Sequence, residues 1–203
     1  MREHTPASTH TVYTIGHSNH TLEKFLDLLT AQDIEVLIDT RSQPYSKYAV
    51  HFNARELHAA VTARGLGYLF LGKELGGRPE GAEFYDADGY VLYSRVAVSP
   101  LFLAGLSRLE TAAAQQRVAL LCSEEDPAVC HRYLLIGRVL AERGISLRHI
   151  RGDGRLQTDA EVEAEAQPDD SGQQALFADE EVAEWKSIRS VLPKKPPPSF
   201  SGY

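Results

Sequence analysis

Short apolar runs alternate along this chain with segments whose apolar residues recur at helical spacing. Residues 12–16 (VYTIG) read as a first strand. Leu22, Phe25, Leu26 and Leu29 then repeat at i, i+3, i+4 and i+7, the stripe of an amphipathic helix. Residues 35–40 (EVLIDT) predict a second strand. Asn53 and Glu56 form a candidate capping pair for a helix to about Arg64, ended by Gly65. Residues 67–71 (GYLFL) predict a third strand, followed by the glycine-rich loop GKELGGRPEG and a helix within residues 87–97. Ser99 before Pro100 is a cap followed by proline at the first helical position, opening a helix to about Gln115. Residues 117–122 are a fourth strand. Asp126-Pro127 repeats the cap-and-proline signature and predicts a helix to Arg143, ended by Gly144; residues 146–150 (SLRHI) are a fifth strand.

Strands alternate with helices, and most strands are continuously apolar. That pattern predicts an α/β fold: a single three-layer domain, residues 11–153, with a mostly parallel sheet of about five strands covered on both faces. Residues 1–10 read as a disordered leader. From 154 to 203 the pattern stops, predicting a flexible acidic and proline-rich tail. Within it PKKPPP (193–198) favours polyproline conformations. Val182, Trp185, Ile188 and Leu192 fit one short helix over 180–192, able to dock on the domain or a partner.

Charge sharpens this division. Of the net −7, residues 1–153 contribute −2 (16 basic, 18 acidic) and residues 154–203 contribute −5 (5 basic, 10 acidic). The head is compatible with local phosphate binding but lacks the basic footprint of a non-specific DNA binder. No apolar run of about 18 residues predicts a membrane span, and the first ten residues lack the apolar core of a secretory signal. A cytoplasmic protein with free thiols is expected.

The densest chemistry lies in residues 122–132, CSEEDPAVCHR, which hold both cysteines of the chain. They follow a buried strand, and open α/β sheets bind ligands beyond the carboxyl ends of their strands. Two other strand ends are polar: Gly16-His17-Ser18, and Asp39-Thr40-Arg41 followed by Pro44, Tyr45 and Ser46. Four readings compete. Cys122 is a nucleophile aided by a helix dipole, as in cysteine phosphatases and rhodaneses, although the acidic Glu124 and Glu125 oppose a thiolate. Cys122, Cys130, His131 and His17 bind a metal, although neighbours such as Cys130 and His131 diverge by about 100° if both are helical. Cys122 and Cys130 form a redox pair. The favoured reading is acid–base and electrostatic: Asp39 and Glu124 as bases, His17 and His131 as acids, and Arg41 and Arg132, with Ser18 and Ser46, holding an anion. A helix N-terminus at Pro127 adds to the anion site. In this reading Cys122 packs the loop or serves as nucleophile, and no metal is assigned.

Together TIGHS (14–18), IDTRSQPYSKYAVHFN (38–53), LGKELGG (71–77), CSEEDPAVCHR (122–132) and HIRGDG (149–154) resemble the signature blocks of the domain of unknown function 488 family. The resemblance implies an α/β fold and a shared site of His17, Ser18, Asp39, Arg41, Pro44, Ser46, Phe52, Cys122, Glu124, Cys130, His131 and Arg132. It implies no reaction.

A second motif, QQALF at 173–177, is an apolar spot in the acidic tail. It resembles the pentapeptide that binds the bacterial sliding clamp, with Leu176 and Phe177 as apolar anchors and Gln173 as the polar contact. The combined expectation is an enzyme-like domain, a hydrolase or transferase on phosphate-bearing or nucleic-acid substrate in DNA repair or replication, brought to DNA by its tail. The alternatives are a non-catalytic nucleotide- or anion-binding module, or a cysteine-based redox or metal sensor.

Overall fold

The computed structural model describes residues 11–166 and 184–191. Six strands among these residues form one sheet: β1 (Thr11–Gly16), β2 (Val36–Asp39), β3 (Gly67–Phe70), β4 (Val118–Cys122), β5 (Ser146–Ile150) and β6 (Leu156–Thr158). Their spatial order is β3-β2-β4-β1-β5-β6. All pairs are parallel except β5 with β6. Among the described residues seven α-helices accompany the sheet: α1 (Leu22–Ala31), α2 (Ala54–Ala63), α3 (Gly72–Leu75), α4 (Tyr93–Val96), α5 (Pro100–Gln115), α6 (Arg138–Glu142) and α7 (Asp159–Ala166).

Alternation along the strands builds two cores. Tyr13, Ile15, Leu37, Ala119 and Leu121 pack against α1 and α2 through Phe25, Leu26, Leu29, Leu57 and Val61. Val12, Val36, Ile38, Val118 and Leu120 face the other way, onto Val96 of α4 and Phe102, Leu106 and Leu109 of α5. Central strands buried on both sides explain the unbroken apolar runs. The caps of α1 and α5 follow the sequence: Thr21 accepts from Lys24 N, and Ser99 from Phe102 N with Pro100 behind it. At α2 the expected capping pair is absent. The Asn53 side chain instead accepts from Ser46 N at 2.7 Å, tying the preceding loop to the helix start.

Other expectations are corrected too. The single helix expected over 127–143 is broken. Pro127–Val129 is one 3-10 turn, Cys130 is extended (φ −117°, ψ 141°), and Arg132–Gly137 is a π-helix leading into α6. The helix expected within 87–97 shrinks to α4, because residues 85–92 are held by a turn around Asp86 and Gly89.

The sheet gains a sixth strand, and the domain continues past residue 153 into the presumed tail. Buried His149 accounts for that extension: its Nδ1 meets Thr14 Oγ1 at 2.7 Å and its Nε2 meets Asp159 Oδ1 at 3.0 Å, fastening α7 to β1 and β5. The sequence hides this because Val162 is the one buried residue of α7.

Finally, residues 184–191 are not helical. Lys186 bridges to Leu92, and Ser187 N donates to Val91 O. Trp185 donates to Leu134 O at 2.9 Å and lies under the Arg138 guanidinium, fixing this strap to the domain. Trp185→Ala is expected to cost about 2–4 kcal/mol, from lost aromatic burial, one hydrogen bond and a cation–π contact. Urea unfolding checks this; a loss below about 0.5 kcal/mol would mean the strap contributes no stability. The QQALF motif lies outside the described residues, as do residues 180–183 and 192 of the expected helix.

Candidate functional site

β4 lies between β1 and β2, so their carboxyl ends are adjacent. Gly16 is in register with Cys122, and Asp39 with Leu121. Past the strands the pairing continues: His17 N donates to Cys122 O, Ser18 N to Ser123 O and Thr40 N to Leu121 O. The three polar strand ends therefore meet at one edge.

At the end of β4 four side chains converge. Cys122 Sγ lies 2.8 Å from Glu124 Oε2 and 3.5 Å from His131 Nδ1. Cys130 Sγ lies 3.4 Å from the same Glu124 oxygen and 3.8 Å from His131 Nδ1. Both cysteines are free and buried. The extended backbone at Cys130 makes this possible. It cancels the divergence that a continuous helix would impose on Cys130 and His131, and it shortens the helix expected from Pro127 to a single 3-10 turn. His131 Nε2 lies 3.2 Å from Thr40 O. A carbonyl can only accept, so Nε2 carries a hydrogen and Nδ1 is the ring atom that faces the sulfurs.

These groups shift one another. The hydrogen bond to Cys130, and then burial, hold the Cys122 thiol well above its usual value. Burial pushes Cys130 up, but the bond from Cys122 and the charges of Arg132 and His131 outweigh it and bring that thiol well below the ordinary range. Burial pulls His131 down, yet its bond to Cys130 and the charges of Cys130 and Glu124 prevail and raise it.

The loop is held from behind. Arg132 is 1% exposed; its two terminal nitrogens donate to Glu124 O at 2.5 Å and Glu125 O at 2.7 Å. Glu125 accepts from Gly152 N and pairs with Arg151, coupling the loop to the turn after β5. Two glycines make room. A Cβ at Gly16 would lie 1.8 Å from Glu124 O, and one at Gly77 would lie 2.8–2.9 Å from the His131 ring. Gly77→Ala is thus expected to displace His131 and slow or redirect thiol chemistry while leaving the fold intact. Unchanged modification of Cys122 and Cys130 by a thiol reagent would refute this.

Above the cluster opens a cleft of about 400 Å³, lined by Arg41, Ser42, Gln43, Tyr45, Gly77, Arg78 and Tyr93. The strap residues Ser187 to Val191 line it too. Arg78 and Arg189 are exposed, and Tyr45 is 72% exposed. Sequence reasoning did not select Tyr93, Arg78 or Arg189. Arg78 sits in the glycine-rich loop, and Arg189 in a segment whose docking depends on Trp185; neither belongs to the strand-end pattern.

The other expected site residues take supporting positions. Asp39 is fully buried. Its carboxylate accepts from Arg41 N, Nε and Nη2 and from the Tyr68 hydroxyl, at 2.6–3.1 Å. Arg41 spends its remaining terminal nitrogen on Phe52 O. Burial, and then the Asp39 carboxylate, push the Tyr68 phenol up, keeping it a donor. Ser46 Oγ accepts from Tyr48 N and Ala49 N, stabilising a turn. Ser18 occupies a left-handed turn (φ 45°) and pairs with Asn19. Neither serine lines the cleft.

His17 stacks on Phe52 with ring centroids 4.4 Å apart, and its Nδ1 donates to Ser18 O. Burial, and then the Arg41 charge, bring its pKa down from 6.5 to about 4. Protonation of the unfolded chain thus begins near pH 6.5, while the folded ring stays neutral until near pH 4. Stability from this group is complete above about pH 6.5 and is lost as pH falls toward 4, about 3 kcal/mol in all. His17→Gln should flatten that slope relative to wild type in urea unfolding at pH 7 and 4.5. Parallel slopes would show that His17 does not titrate in this way.

The family described as domain of unknown function DUF488 has a model that matches residues 21–139. No curated protein and no solved structure matches the chain.

Proposed function

From the premise that this chain belongs to the DUF488 family, we propose that its domain is an enzyme-type module acting on a phosphate-bearing substrate of the nucleotide class. One observation carries this reading: the cleft sets exposed cations and an exposed aromatic ring directly above a buried group of reactive side chains. Arg78 and Arg189 on the rim bind phosphate, Tyr45 offers a face for a base, and Cys122, Glu124, Cys130 and His131 form the floor. Asp39 and Arg132 support this arrangement by positioning Arg41 and the loop after β4. The Asp39 carboxylate and the two terminal nitrogens of Arg132 are already engaged. Glu124 is the base best placed to serve the cleft, since it is half-buried on its floor.

The test is titration of mononucleotides and short single-stranded oligonucleotides, followed by product analysis. Arg78→Ala and Arg189→Ala are each expected to weaken binding about tenfold or more, the effect of one charge-assisted hydrogen bond. Saturable binding with no product would make the domain a binding module. Binding indifferent to both arginines would sink the reading.

The QQALF pentapeptide supports a separate proposal: Leu176 and Phe177, with Gln173, anchor the chain to the bacterial sliding clamp and bring the domain to DNA. A peptide spanning 168–182 should bind that clamp at micromolar Kd, and Leu176→Ala/Phe177→Ala should abolish binding. No binding by the unaltered peptide would remove the link to DNA.

A further inference from the structure

We propose that the floor of the cleft is a binding site for a zinc-class divalent cation, held by Cys122 Sγ, Cys130 Sγ and His131 Nδ1, with Glu124 closing the fourth position. The inference stands on the geometry of the floor and does not require a nucleotide on the rim.

The three donor atoms lie within 4.8 Å of one another. A tetrahedral zinc with bonds of about 2.3 Å to sulfur and about 2.1 Å to nitrogen has donor–donor edges of about 3.6 Å. The sulfur–nitrogen separations here are 3.5 and 3.8 Å, so an ion fits with small side-chain adjustments. Glu124 Oε2, at 2.8 and 3.4 Å from the two sulfurs, stands beside the cysteines, outside the group of three donors, so it would fill the fourth position by turning toward the ion.

The chemistry of the donors agrees with the spacing. Ligating histidines characteristically give their other N–H to a carbonyl or carboxylate, which fixes the tautomer; His131 does so with Thr40 O. Gly77 leaves the space that the ring occupies. Both thiols turn toward the same Glu124 oxygen, and a divalent ion would take the place of the thiol protons while holding the two thiolates together. Two sulfurs and an imidazole favour zinc over magnesium or calcium. The loop is braced from outside the coordination sphere, because Arg132 holds the Glu124 and Glu125 carbonyls.

The floor also opens on the cleft, where Glu124 lines the wall. A site with three firm protein ligands and a fourth that can yield to water or substrate has the form of a catalytic rather than a purely structural zinc. With the ion in place, Glu124 can leave it to a water molecule and accept that water's proton, which would give the cleft a hydroxide nucleophile.

The full-length protein, purified under reducing conditions and stripped by a chelator, is titrated with zinc and with cobalt(II). The expected results are one ion per chain, release of thiol protons on binding, and a thiolate-to-cobalt charge-transfer band. Cys130→Ser and His131→Gln should each reduce affinity at least 100-fold while keeping the circular dichroism of the parent. Glu124→Gln should keep the cobalt–thiolate band and bind about tenfold more weakly.

Should a variant fail to fold, alkylation of the native protein decides: one equivalent of zinc must protect both cysteines. Substoichiometric metal, absence of the band in folded parent protein, or affinity unchanged in both Cys130→Ser and His131→Gln would overturn the proposal. Nucleotide titrations of the stripped and the loaded protein are read apart from metal uptake, so failure of the rim and failure of the floor are distinguishable.

Discussion

Asp39→Ala is expected to lower the free energy of unfolding by about 3–5 kcal/mol. The carboxylate is fully buried and faces Arg41, itself 6% exposed. Removing it strands a guanidinium in the interior, together with the Tyr68 hydroxyl that it also accepts. Breaking one side of such a pair costs far more than the pair's net contribution, because the remaining charge has no water to turn to. Tyr68→Phe provides the scale. It removes one donor and leaves the ion pair, so a loss of about 1 kcal/mol is expected. Urea midpoints at pH 7 measure both. A loss for Asp39→Ala no larger than that for Tyr68→Phe would show that Arg41 finds another partner.

Arg132→Ala should be comparably severe, about 3–5 kcal/mol. The side chain is among the largest fully buried ones in the domain. Its removal opens a cavity and leaves the carbonyls of Glu124 and Glu125 without their donors, each an unmade bond of about 1–3 kcal/mol. The same change frees the loop carrying Glu124, so faster reaction of Cys122 and Cys130 with a thiol reagent should accompany the loss. Unfolding and thiol modification measured on one sample test both halves. Stability within about 1 kcal/mol of the parent would mean that the loop holds its shape without the clamp. It follows that lost activity in Asp39→Ala or Arg132→Ala would not identify a catalytic group. Glu124, His131 and Arg78 are the informative positions.

The distinction between these two kinds of residue was only half legible in the sequence. Convergence of the three strand ends followed from a parallel sheet, and β4 does stand between β1 and β2. What a one-dimensional pattern does not carry is the direction of a side chain after a break in the backbone. Asp126-Pro127 signals a helix start truthfully, but that turn lasts three residues before Cys130 becomes extended. A helical wheel drawn through 127–143 therefore separates Cys130 from His131, whereas the structure brings their donor atoms together.

Arg41 and Arg132 illustrate the same limit in another form. Arginine beside a polar strand end suits anion binding, and only the partners show that Asp39 and Phe52 already occupy the Arg41 guanidinium and that two loop carbonyls occupy the terminal nitrogens of Arg132. The acidic segment after residue 153 hid β6 and α7 because their order depends on His149 and Asp159 meeting across the fold. Local hydrophobicity does not report such a contact.

The position of β1 has a practical consequence for any attempt to isolate the domain. The matched region begins at residue 21 and ends at 139, so it omits both β1 and β5, and β1 is the strand that fills the gap between β4 and β5. A fragment trimmed to those limits would expose the whole flank of Val118–Cys122, a strand buried along its full length. Bare apolar edges of this kind recruit other chains, so inclusion bodies are the expected product of such a fragment. Recombinant work on this domain should start no later than Thr11 and continue through the strap to Val191.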